Sequence, residues 1–138
     1  MSSTFSNKKN SFIYMYSVMH ELMGSEKLHP FSCKHWGIPL LLILYGKTLK
    51  QLPVEMILPF TVEDLGVDDL YKVISRVMAD NIVSKGTFLT HLEVLESQKL
   101  IEKTLSASKR SKRIILLTRS IKRHCDQIFF EELRENKP

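Results

Sequence analysis

His29, Cys33 and His35 stand close together, and imidazole and thiolate are both zinc ligands. Their spacing fits no established ligand motif, so no metal site is expected. Cys33 beside Lys34 and His35 has the makings of an oxidant sensor, because neighbouring cations activate a thiol. The plainer reading is a reduced thiol, and the same holds for the distant Cys125. Two cysteines in 138 residues make no disulfide framework. Glu131 and Glu132 are neighbours on a polar stretch and read as a solvated helix face. No nucleophile–base set, glycine-rich phosphate loop or paired-carboxylate motif is visible. Neither catalysis nor a cofactor is expected.

The clearest chemical pattern is basic. The net charge is +5 and the isoelectric point about 9.3. Eight basic residues fall between Lys103 and Cys125 with no acid among them: Lys103, Lys109, Arg110, Lys112, Arg113, Arg119, Lys122 and Arg123. A field of one sign attracts a polyanion and accelerates the encounter. A composition of 43% hydrophobic and 25% charged residues suits one soluble domain with a real core. The longest apolar run, Ile38 to Tyr45, is interrupted by Pro39 and falls far short of the ~20 residues a membrane span needs. Residues 1–10 are polar and rich in Ser and Lys, and no signal-peptide core follows them. The expectation is a cytoplasmic protein with no membrane segment. Residues 1–10 would be a flexible end and residues 11–138 a single domain.

Helical spacing of Phe12, Met15, Tyr16, Met19, Leu22 and Met23 predicts a helix over 11–23, stopped by Gly24. It is apolar on more than one side, so either the core or a second subunit must cover it. A buried strand could show the same run, but leucine richness without alternation favours a second helix over 32–46, with Leu40 to Leu44 fully buried and Pro39 near its first turns or kinking it. Residues 47–60, with Pro53 and Pro59, read as a short packed helix or an irregular connector. Thr61 and Asp64 resemble a loose capping pair. Leu70, Val73, Ile74, Val77 and Met78 form one stripe of a helix over 67–78, with Asp68 and Asp69 favourably placed in its first turn. A short turn over 80–83 follows. Ser84 then caps a helix to about Gln98, whose buried face is Phe88, Leu92 and Leu95. Strands are predicted over 100–105 and 112–117 around a basic turn over 106–111. Thr118 would cap a last helix reaching about Glu135, with the stripe Ile121, Cys125, Ile128, Phe129 and Leu133.

Helix, tight turn, helix, strand, basic turn, strand is the order of a winged helix-turn-helix. The predicted fold class is mainly α with a small β-hairpin wing (α+β). A helix is narrow enough to enter the major groove, and a basic hairpin can reach the backbone or the minor groove beside it. On the helix the candidate DNA contacts are Ser84, Lys85, Gly86, Thr87 and Thr90. His91 sits to one side and is either a phosphate contact or a packing residue. On the wing they are Lys109, Arg110, Lys112 and Arg113. The helix carries no Arg and turns Glu93 outward, so strong guanine readout is not expected from it. Wing contacts and DNA shape would carry more of the preference.

Val83-Ser84-Lys85-Gly86-Thr87-Phe88, then Leu95-Glu96 and Leu100-Ile101, resembles the recognition helix of MarR-type and PadR-type regulators. Lys109-Arg110-Ser111 followed by Ile114 to Thr118 resembles the MarR wing and its return into the last helix. The resemblance covers 67–132, about half the chain. Ser84 to Thr87 looks more like PadR. The long first helix and the basic wing look more like MarR, including its staphylococcal Sar-type branch. Lys109 stands where MarR wings carry Asp, and Ser111 where they carry a second Arg, so that wing contact is not carried over.

The resemblance implies a homodimer paired through helices at about 11–30 and 119–136, with a DNA-binding lobe at about 61–118. It implies a transcriptional regulator, a repressor or an activator, on double-stranded DNA. A small-molecule or redox effector would fit between dimer helices and lobes. One rival is a winged protein-interaction module, or anti-regulator, that does not itself bind DNA. Another is a plasmid or phage replication or transfer control protein of the same fold.

Overall fold

The computed structural model describes the backbone of residues 2–105 and 113–130, and their side chains from Asn10 onward except Asp64. It is mainly helical with one two-stranded antiparallel hairpin, an α+β arrangement. Helix α1 is Ser2–Gly24. It therefore includes most of the polar segment expected to be a loose end. Nothing between Ser2 and Met23 is Gly or Pro, so no residue there interrupts a helix once Val18 and Leu22 anchor it to the core. Gly24 ends it, as expected.

The helix expected over 32–46 begins later than expected, and a separate short helix ends at Ser32 ahead of it. Short α2, His29–Ser32, is followed by a tight corner, and α3 runs from Gly37 to Leu49. The break has a steric cause. A Cβ at position 37 would lie 1.6 Å from the carbonyl oxygen of Phe31, so only glycine lets the corner fold back on α2. Leu40, Leu41, Ile43 and Leu44 are buried, whereas Leu42 is 36% exposed. A lipophilic run hides the helical phase, and Leu42 falls on the outer side. Lys50, in the left-handed region at φ 57°, closes α3. Helix α4, Val54–Ile57, and a 3-10 turn, Val62–Asp64, make up the proline-bearing connector.

Helix α5 spans Val67–Val77 and buries Leu70, Val73 and Ile74. Its entry is closed by Asp69, whose carboxylate accepts from the Gly66 amide at 3.1 Å. Ala79 and Asp80 adopt positive φ in the turn that follows. Helix α6 is Lys85–Ser97. Ser84 caps it as expected, accepting from the Thr87 amide at 3.3 Å. Phe88, Leu92 and Leu95 are buried as the stripe predicts.

Strands β1, Ile101–Leu105, and β2, Arg113–Leu117, pair with Ile101 opposite Leu117 and Leu105 opposite Arg113. Gly66 bridges Ile114, so one residue ahead of α5 joins the outer edge of the hairpin. Paired residues share a face. At the root that face is buried (Ile101, Leu117), but Leu105 and Arg113 on the same face are exposed. The hairpin thus leaves the core as it approaches its turn.

Helix α7 is Arg119–Phe129 and buries Ile121, Cys125 and Ile128. Thr118 occupies its N-cap position but does not cap it. Its hydroxyl donates towards the carbonyls of Lys99, at 2.9 Å, and Leu100, tying the helix to the hairpin root. The α1, α3 and α7 helices are laced together. Tyr14 donates its hydroxyl to the Phe129 carbonyl, Tyr45 donates to Asp126 at 2.6 Å, and the Tyr45 ring stacks on Phe129 at 5.1 Å. Burial, then the Asp126 carboxylate, push the Tyr45 phenol well above its ordinary pKa.

Candidate nucleic-acid interface

The sequence-predicted helix contacts come together on one exposed strip of α6. Ser84, Lys85, Gly86, Thr87 and Thr90 are all exposed at its amino end, and Glu93, Val94 and Ser97 continue the strip. The strip is low. Gly86 has open space where a side chain would stand, and Thr90 folds its hydroxyl back onto the Gly86 carbonyl at 3.0 Å. Thr90 is nonetheless exposed, with a methyl group and a hydroxyl oxygen on its side chain. A thymine methyl or a donor on a base edge fits such a surface.

Lys85 is held by Asp68 of α5 at 2.9 Å, with both side chains largely exposed. An exposed pair of this kind is worth at most about 1 kcal/mol, so a phosphate can compete for the lysine. On the flank towards the hairpin, Glu96 pairs with Lys103 of β1 at 3.7 Å. Arg113 is exposed at the first described position after the turn. Lys109, Arg110 and Lys112 lie outside the described residues.

His91 resolves in favour of packing. Its Nε2 is 2.8 Å from the Pro30 carbonyl, and its ring stands edge-on to Trp36 at 5.3 Å. Trp36 is fully buried and also packs on Phe88 at 5.0 Å. His35 places Nε2 2.9 Å from the Asn81 carbonyl in the turn before α6, and Tyr71 donates to the Val83 carbonyl at 2.8 Å. The α2–α3 corner and α5 therefore grip the turn and inner flank of α6 and fix its orientation. Sequence reasoning missed this grip. The only hint was the lone tryptophan, and nothing local says what it touches.

No family model, curated protein or solved structure matches this chain.

A second surface is apolar. Phe12, Ile13, Met15, Tyr16, Met19 and Met23 of α1 are exposed, Phe12 by 68%. Tyr14, Met15, Val18, Met19, Leu42 and Phe130 line a groove of about 870 Å³ between α1, α3 and the end of α7. Monomeric soluble proteins seldom expose so continuous an apolar area. Among the described residues no helix is long and apolar enough to cross a membrane, and no three His, Cys, Asp or Glu residues are grouped as a metal site. Cys33 is exposed. Cys125 is buried, which together with the nearby Asp126 charge pushes its thiol up to about 12.

Proposed function

We propose that this protein is a cytoplasmic, homodimeric regulator of transcription that binds double-stranded DNA through a winged helix-turn-helix. The observation that carries the reading is the uncovered, low, polar strip of α6 standing beside a hairpin that leaves the core. The strip would enter the major groove amino end first. Lys109, Arg110, Lys112 and Arg113 of the wing would neutralise flanking phosphates. The Gly66 bridge supports the wing reading, because it gives the hairpin a third edge ahead of α5. The MarR-like and PadR-like pattern in residues 67–132 supports it as well. The apolar face of α1 and α7 supports a second copy, giving two α6 strips related by a two-fold axis on a pseudo-palindromic site.

The test is selection of bound duplexes from a random pool, followed by gel-shift titration of the best one. The expected product is a site with two related halves. Arg110→Ala should weaken binding to it by about 1–3 kcal/mol. Unchanged affinity would take Arg110 out of the interface, and a pool that never enriches would overturn the reading.

One observation favours a second reading, a protein-interaction module. Lys85 is engaged by Asp68 and Glu93 faces outward, so the strip carries little free positive charge of its own. A related DNA-binding subunit would then be the partner of the apolar face.

A further inference from the structure

Helix α7 treats its cations in two ways. Lys122 is compensated one turn on by Asp126, at 2.9 Å. Arg119 and Arg123, also one turn apart, have no carboxylate partner among the described residues. Like charges at this spacing oppose helix formation. Lys27, from the link between α1 and α2, is brought to the same place. With Ser120, His124 and Gln127, these three cations line a recess of about 400 Å³ that holds no acid among the described residues. The carboxylate of Asp126 is turned to Lys122 and Tyr45, and Glu21 lines an adjoining recess with His20 on the other side of His124.

The His124 ring is held at the edge of the recess by a contact with Ser25. The Ser25 hydroxyl accepts from the Leu28 amide at 3.2 Å and lies 2.9 Å from His124 Nε2. Burial, then the Lys27 charge, hold His124 below its ordinary pKa, in keeping with a site of uncompensated positive potential. The Ser120 hydroxyl and the Gln127 amide add neutral donors.

We infer that the recess between Lys27, Arg119, Arg123 and His124 binds a phosphate group, with the guanidinium groups as its forked donors. Guanidinium is suited to this, because it offers paired donors matched to phosphate oxygens. The inference does not depend on the α6 strip binding DNA. Thr118, next to Arg119, is bonded to the carbonyls that follow α6, so the recess lies towards the opposite end of α6 from Ser84.

The experiment follows the His124 ring by NMR in the full chain. Inorganic phosphate is titrated against sodium chloride of matched ionic strength. Phosphate should shift the ring resonances saturably and raise the His124 pKa, and chloride should do neither. Arg123→Ala and Lys27→Ala replace exposed side chains. Each should weaken phosphate binding about tenfold while leaving the circular dichroism unchanged. Identical responses to phosphate and chloride, or unchanged affinity in both variants, would overturn the inference. Two further arms assign the source of the phosphate. Displacement by a short DNA duplex, lost in Arg123→Ala, assigns it to a nucleic-acid backbone. Tighter binding of glycerol phosphate than of inorganic phosphate, with no displacement by duplex, assigns it to a soluble phosphomonoester.

Discussion

The α6 strip and the α1–α7 face are both exposed, and they are made of opposite materials. The strip is Ser, Lys, Gly and Thr laid over a fully packed floor of Phe88, Leu92 and Leu95. It needs nothing more to be stable in water. The α1–α7 face is Phe, Ile, Met and Tyr around a groove, with only Val18 and Leu22 of the described α1 side chains reaching the core as buried hydrophobics. Among the described residues it is exposed where such side chains are usually buried. One surface is polar over a packed floor, and the other is apolar and exposed. A polyanion suits the first, and an apolar partner suits the second.

The largest effect should come from the joint that holds α6 in place. Trp36→Ala empties a fully buried site beside Phe88 and His91, and should cost about 3–5 kcal/mol in urea denaturation. A loss below about 1 kcal/mol would mean that the corner does not support the strip. The apolar face comes next. Met15→Glu puts a charge at the groove and should weaken self-association by about 2 kcal/mol or more in sedimentation, with helicity retained. An unaltered mass would show that this face does not bind a second copy. The smallest effect separates stability from function on the strip itself. Gly86→Ala has open space for its methyl group and should stabilise the fold by up to about 1 kcal/mol. The same methyl raises the strip where the groove floor should approach, so duplex affinity should fall while the melting temperature rises. If both rise together, Gly86 is not at the interface.

Where the sequence has a phase, it gives the element. The α6 stripe and the Leu70, Val73 and Ile74 part of the α5 stripe were readable for that reason, though Val77 of the expected α5 stripe is exposed, and so was the Ser84 cap, which is a purely local bond. The run from Ile38 to Tyr45 has no phase. It concealed both the corner at Gly37 and the outward turn of Leu42. Gly37 itself is required by a carbonyl six residues earlier, a contact that periodicity cannot register. Thr118 shows the same limit. It sits where a cap belongs, yet its hydroxyl is claimed by carbonyls at the end of α6. On the candidate interface, exposure of Gly86, Thr87 and Thr90 followed from the helical wheel. The fate of His91 did not, because its partners, Pro30 and Trp36, come from a distant part of the chain. The α7 recess escaped notice because Lys27 joins Arg119 and Arg123 only once α1 and α7 pack.

The most direct test of the central claim is the salt dependence of duplex binding by the full chain. If the α6 strip and the basic hairpin face one polyanion, the logarithm of affinity should fall linearly with the logarithm of salt. Its slope should be about −0.9 per neutralised phosphate, and Arg110→Ala should make it shallower by about one unit. A flat response, or a protein that is not retained on duplex DNA even at low salt, would contradict the account.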